Sequence, residues 1–201
     1  MISKLIQHSQ RKVNLIFDFD KTIAQMEIDW TDWHVGVAEV YSKYDVSHGY
    51  TTGKDPHKHY NLLAEKHGKE LIRDVKKFVS DYEQKNTTGY TPYVELVDFI
   101  KMNSFNNKMY IFSSNSRSTV VSGLKCFGIL DLFEQIVARD DVSKIKPDVE
   151  GLYLLKDFEK NKRDYLMIGD SDSDEIVANL TGIVFLKCTY FGTYEFSEDT
   201  E

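Results

Sequence analysis

The sequence predicts an α/β protein: a Rossmann-like parallel five-stranded sheet with helices on both faces, plus a small all-helical cap domain inserted after the first strand. Three observations carry this. Short apolar runs at 13–17, 109–112, 136–138, 165–168 and 183–186 are separated by segments of helical periodicity, the pattern of βαβ units. About seventy residues after Thr22 read as helix with no strand among them. The polar residues collect where the apolar runs end: Asp18 and Asp20, then Ser113 and Ser114, then Asp170, Ser171 and Asp174. In a parallel sheet all carboxyl ends point the same way, so these residues assemble one pocket.

Each element has a local reason. Val13, Leu15, Ile16 and Phe17 form a β-branched-rich run suited to a strand buried on both faces. Trp30, Trp33, Val37, Val40, Tyr41 and Tyr44 recur at helical spacing, as do Leu71, Ile72, Val75, Phe78, Val79 and Tyr82 within a helix over 69–84. Between them, Gly49, Gly53 and Pro56 mark a loop over 45–59, with a further helix from near Pro56 to about Gly68. Thr91 followed by Pro92 reads as a helix start, hydroxyl cap first and proline next. A helix from about Ser116 stops at Gly128, another covers 149–158, and a third after Asp174 ends at Gly182. The expected domains are 1–24 with 88–201 as the catalytic core and 25–87 as the helical cap.

Bulk properties exclude several classes. A formal net charge of −7 argues against a nucleic-acid surface. No apolar run approaches the ~20 residues of a spanning helix, and the amino-terminal stretch has no secretory pattern, so no membrane partner and a cytoplasmic location are expected. Cys126 and Cys188 lack metal-site spacing and read as two buried small hydrophobes. A monomer or weak homodimer is expected.

The chemistry starts at Asp18 and Asp20, two carboxylates at the end of a buried strand with Phe19 between them. Acids converging there need a cation, and hard oxygen ligands suit Mg²⁺. Lys146 lies on the same sheet edge, in the loop KIKPD. Carboxylates, a lysine, hydroxyls and Mg²⁺ suit phosphoryl transfer, where positioning and charge neutralisation dominate.

DFDKT at 18–22, the serine pair followed by Asn115, KPD at 146–148 and GDSDSD at 169–174 resemble, in order, the four motifs of the haloacid dehalogenase-like hydrolase superfamily. The helical insert is similar to the cap of its phosphoglycolate phosphatase and β-phosphoglucomutase branch. The resemblance implies a Mg²⁺-dependent phosphatase acting on a small phosphorylated metabolite through an aspartyl phosphate. A phosphomutase with the same intermediate and a non-catalytic phospho-ligand binding protein are the alternatives. It makes Asp18 the nucleophile and Asp20 the acid and base, with the Asp20 carbonyl also on the metal. Thr22 orients their loop, and Ser114, or Ser113 if the strand end lies one residue earlier, binds phosphoryl oxygens with help from Asn115. Lys146 neutralises Asp18 and the phosphoryl group. Asp170 is a direct metal ligand, and Asp174 supports the metal site through Lys146 or water. Many relatives have glycine where this chain has Lys21, a lysine accommodated if its stem turns to solvent. In the cap, His48, Lys54, His57, Lys58 and His59 are candidate contacts to the substrate's non-reacting end.

Overall fold

A computed structural model describes residues 1–44 and 56–191. The chain runs through α1 (Ile2–Ser9), β1 (Asn14–Phe17), β2 (Ala24–Glu27), α2 (Trp30–Ser42), α3 (Pro56–His67), α4 (Lys69–Asn86), β3 (Gly89–Pro92), α5 (Val94–Asn103), β4 (Lys108–Phe112), α6 (Arg117–Cys126), β5 (Phe133–Val137), α7 (Glu150–Tyr153), β6 (Tyr165–Gly169), α8 (Asp172–Thr181) and β7 (Val184–Lys187). Strands β5-β4-β1-β6-β7 form a five-stranded sheet in that order, and every pairing in it is parallel. The chain winds outward from β1 in both directions, so the strand order reverses between β1 and β6. That switch point is where an open α/β sheet leaves a crevice at its carboxyl ends.

Alternation along the strands sends successive side chains to opposite faces. Leu15 and Phe17 join Met109, Ile111, Leu166 and Ile168 in one buried cluster with residues of α1, α5 and α6. Ile16 points the other way, with Tyr110, Phe112 and Met167, into a cluster shared with α8 and with the insert helices through Trp33, Val37, Val75 and Val79. Asn14 to Phe17 are all buried, so β1 is the central strand that the continuous apolar run announces.

Several expectations need correction. The insert is not purely helical at its ends: Ala24 to Glu27 pair antiparallel with Gly89 to Pro92 as a two-stranded ribbon. Ala24 and Met26 are buried while Gln25 and Glu27 are exposed, a strand alternation too short to stand out in the sequence. The Thr91–Pro92 helix start is therefore wrong. Thr91 spends its hydroxyl on Glu27 Oε1 at 2.9 Å, and α5 begins only after Tyr93, without a side-chain cap. Pro92 is tolerated because the ribbon has a free edge there. The expected helix over 149–158 closes after Tyr153, and Asp157 adopts a left-handed φ of 59°, which no helix continues through. The amino-terminal helix α1, to which the sequence assigned no element, holds by burying Leu5. Cys188 is buried as expected, but Cys126 is exposed. Most of the loop expected at 45–59, including His48 and Lys54, and the acidic tail after Thr193 lie outside the described residues. Among those described, no helix is long and apolar enough to cross a membrane.

Candidate active site

Asp18 is the first residue beyond β1, and its N–H still donates to Ile168 O at 2.9 Å, so the β1–β6 ladder runs to the edge of the site. The chain then turns tightly: Thr22, Ile23 and Ala24 all direct their N–H groups at Phe19 O. Phe19 is fully buried on the opposite side and anchors the turn. Lys21 takes a φ of 58°, which accounts physically for a preference for glycine at this place. Its stem does not turn to solvent, since Lys21 is only 9% exposed, and it instead brings a positive charge near Asp20 and Asp170. The ribbon completes the loop, because Met26 N–H donates to Asp20 Oδ1 at 2.8 Å and fixes that carboxylate. Thr22 is buried, with Oγ1 3.5 Å from Asp170 Oδ1.

Lys146 reaches the same place from the loop after β5. Its Nζ donates to Asp18 Oδ1 and to Asp174 Oδ1, both at 2.6 Å, and it is buried along with both partners. The other oxygen of Asp174 accepts from Ser171 N at 3.1 Å and Ser171 Oγ at 2.5 Å, closing a capping box on α8. Gly169 makes room for this, since a Cβ there would meet Asp174 Cγ at 2.5 Å. Asp172 and Glu175, by contrast, face solvent at the same helix end.

Carboxylate oxygens of Asp18, Asp170 and Asp174 lie within 4.8 Å of one another. Burial pushes Asp18 up to about 6, against the pull of Lys146, and pushes Asp20 up to about 7, against its bond from Met26 N–H. Asp170 rises to about 8 through burial and the repulsion of Asp18 and Asp174. Lys146 pays a burial penalty, yet Asp174 and Asp18 hold it in the charged form. Four acids face Lys146, with Lys21 near Asp20 and Asp170, so negative charge is left uncompensated, and this hard-oxygen donor set fits Mg²⁺.

Ser113 and Ser114 follow β4 and differ in use. Ser113 Oγ donates to Asn115 Oδ1 at 2.9 Å and accepts from Asn115 N–H, so it shapes its own turn. Ser114 Oγ is buried without a hydrogen-bond partner among the described residues, a hydroxyl left open for a ligand. Asn115 Nδ2 lies 3.4 Å from Glu83 Oε1, and Ser116 N–H donates to Glu83 Oε2 at 2.8 Å. Sequence reasoning missed Glu83, a buried acid on α4 whose protonated form burial favours. The signal was available: Leu71, Val75, Val79 and Glu83 are spaced by four, so this acid continues an apolar stripe. It also missed Arg139, which follows β5 at the same sheet edge as every other site residue and donates from Nε to Ser114 O at 2.7 Å. His57, on the first turn of α3, is depressed to about 3 by burial and by the charges of Arg139 and Lys146, so it lies within electrostatic reach of the site. His59 instead packs edge-on against Tyr41 within the insert.

The family model of the haloacid dehalogenase-like hydrolases matches residues 15–188. The chain belongs to that family. Among curated proteins, the pyrophosphatase PpaX of Halalkalibacterium halodurans is 29% identical over 115 residues, which is 57% of this chain and 53% of the relative. PpaX of Bacillus thuringiensis strain Al Hakam is 28% identical over 123 residues, 61% of this chain and 56% of the relative. The chain thus spans a little over half the length of the curated relatives it matches. Among solved structures, one described as a predicted phosphoglycolate phosphatase from Haemophilus somnus superposes with a TM-score of 0.61 at 16% identity, over 93% of this chain and 88% of that one. A haloacid dehalogenase-like hydrolase from Bacteroides fragilis gives 0.58 at 22% identity, over 88% and 87%. At these identities the structural likeness speaks for the fold alone.

Proposed function

We propose that this haloacid dehalogenase-like hydrolase is a phosphatase that hydrolyses a small phosphate monoester through an aspartyl phosphate on Asp18, with Mg²⁺ as cofactor. One observation supports this above the others: Lys146 Nζ sits 2.6 Å from both Asp18 and Asp174, beside Asp170, so a buried acid cluster is only partly neutralised by protein charge. A carboxylate of Asp18 attacks phosphorus, and the bond to the leaving oxygen breaks as Asp20 gives that oxygen a proton. Asp20 then takes a proton from water, whose oxygen attacks the phosphoryl group, releasing inorganic phosphate and regenerating Asp18. A carboxyl pushed up to about 7 is matched to that double role near neutral pH. Ser114 Oγ, Thr22, Asn115 and Lys146 hold the phosphoryl oxygens and their loop. Asp18, Asp170 and the Asp20 backbone carbonyl are the proposed metal ligands, with Asp174 engaged by Lys146 and Ser171 as their support. Bound Mg²⁺ supplies charge neutralisation to the transferring group. Residues 25–87 act as a cap over a core of 1–24 and 88–201, and the names of the curated relatives put inorganic pyrophosphate among the compounds to test.

The test is release of inorganic phosphate from p-nitrophenyl phosphate. Turnover is expected with Mg²⁺ and to stop on chelation. Asp18→Asn, nearly isosteric, is expected to lower kcat by about a thousandfold or more while the protein stays folded by circular dichroism. Undiminished turnover in excess chelator, or near-normal turnover by the variant, overturns the proposal.

A further inference from the structure

Arg139 is a buried cation with no carboxylate in ion-pair contact among the described residues. It is 3% exposed, and its contacts are the Nε bond to Ser114 O at 2.7 Å and the Tyr60 ring, 5.4 Å from Cζ to the centroid. A guanidinium carries five N–H donors in a planar fork, so most of its hydrogen-bonding capacity is unspent. No carboxylate among the described residues pairs with it. The two acids that follow it in sequence are taken elsewhere: Asp140 Oδ2 accepts from Arg117 N at 2.5 Å, and Asp141 pairs with the Arg117 side chain. Glu83, the buried acid that feels its charge, makes no ion-pair contact with it and spends its oxygens on Ser116 N–H and Asn115 Nδ2. Burying a lone charge costs several kcal/mol as an order of magnitude, so a protein keeps one only where something else repays it.

The surroundings hold this side chain ready for a ligand. Arg139 N–H donates to Asn115 O at 3.0 Å, locking the residue to the loop that carries Ser114. Its other wall is α3, where Tyr60 Oη donates to Ser143 O at 3.0 Å. Asn61 exchanges hydrogen bonds of 2.7 and 2.9 Å with Ile145, next to Lys146. The guanidinium therefore stands where the sheet edge meets the insert, one residue from the open Ser114 hydroxyl, with His57 beside it.

From this geometry we propose that Arg139 binds an acidic group on the leaving-group side of the substrate. The substrates are then phosphate esters or anhydrides whose leaving group itself bears a carboxylate or a phosphate. A planar fork suits either oxyanion bidentately. The inference rests on the phosphatase reading, because it places the second anion relative to the phosphoryl site.

The experiment compares wild type with Arg139→Met on phosphoglycolate, inorganic pyrophosphate and ethyl phosphate, the last having an uncharged leaving group. The variant is expected to lose about tenfold to a hundredfold more kcat/KM on at least one of the two acidic substrates than on ethyl phosphate, mostly through KM. Loss on phosphoglycolate alone assigns a carboxylate, and loss on pyrophosphate alone assigns a phosphate. Equal losses on all three substrates overturn the proposal and leave the phosphatase reading standing. A second measurement needs no turnover: the thermal midpoint with and without the same compounds. Wild type is expected to be stabilised more by an acidic compound than by ethyl phosphate, and Arg139→Met to show no such difference while melting at or above the unliganded wild type. If wild type hydrolyses nothing but this Arg139-dependent stabilisation persists, the anion subsite stands and the phosphatase reading falls. A variant that melts well below wild type and keeps the preference for acidic compounds makes Arg139 a structural residue, and the proposal fails.

Discussion

The sheet edge and the wall beneath the insert treat buried charge in opposite ways. At the edge, four aspartates outnumber the two lysines near them, Lys146 between Asp18 and Asp174 and Lys21 by Asp20 and Asp170, and burial drives the protonation of Asp18, Asp20 and Asp170 upward. At the wall, Arg139 has no carboxylate in ion-pair contact among the described residues, and His57 beside it is held neutral. The two regions share the Ser114 loop, so an excess of negative charge and an excess of positive charge lie within one pocket. Each would be better satisfied by the opposite ion pairing with it than by refolding, since their carriers are fixed by strands and loops. On the proposed function, a metal with a phosphoryl group would answer the first region, and an acidic leaving group would answer the second. Paired charge, such as Lys146 between its two aspartates, is the part of the site that holds shape; unpaired charge is the part that binds.

Removing the paired lysine should break this contrast most strongly. Lys146→Met leaves Asp18 and Asp174 facing each other in a buried site, and loss of one partner of a buried ion pair costs about 3–5 kcal/mol. Urea unfolding of the metal-free protein is the check. A loss no greater than that of Arg139→Met would mean that both cations stand in the same relation to the fold.

The acid cluster alone can be read by pH. Asp18, Asp20 and Asp170 hold protons in the folded state up to about 6, 7 and 8, against 3.8 for an ordinary aspartate. The unfolded chain releases these protons near its lower, ordinary values, so their stabilisation is complete below that range and is lost as pH rises through the folded values. Metal-free protein should therefore melt at progressively lower temperature between pH 5 and 8, a range of roughly the span between those values. Mg²⁺ displaces the same protons, so its stabilisation should be larger at pH 8 than at pH 6, reaching about 2.7 kcal/mol at a hundredfold excess over Kd. Calorimetry at the two pH values decides it, and a Mg²⁺ effect independent of pH would separate the metal from these carboxylates.

The smallest expected effect falls at Glu83, which is buried but satisfied. Glu83→Ala should cost about 1–3 kcal/mol by leaving the buried Ser116 N–H without its partner. Chemical denaturation should show this with only a modest change in turnover. A loss of activity as large as that of Asp18→Asn would place Glu83 in the chemistry rather than in the joint between α4 and α6.

How far the site was legible depended on where its residues sit along the chain. Asp18, Asp20, Asp170 and Asp174 stand at or near strand ends, next to apolar runs long enough to recognise, and the structure brings them together with Lys146 from the loop after β5. Ser114 was separable from Ser113 only in three dimensions, because both are one-residue neighbours of the same strand end and only their partners differ. Glu83 was hidden by its place on a long helix, where an acid at the end of an apolar stripe looks like the start of the solvated face. Thr91 and Pro92 misled for a related reason: hydroxyl followed by proline is a sound local helix signal, but pairing with Ala24 to Glu27, more than sixty residues away, overrode it.

Composition, period and strand-end chemistry by themselves determined the parallel sheet, the helical insert and the acid-and-lysine pocket, because buried strands and amphipathic helices write their periods into adjacent residues. Only the tertiary structure decided which charges are paired. That Lys146 is held by two aspartates while Arg139 is held by none among the described residues follows from which loops the fold brings within hydrogen-bonding distance. No run of neighbouring residues records that, since Asp140 and Asp141, the obvious partners for Arg139 in sequence, turn to Arg117 instead.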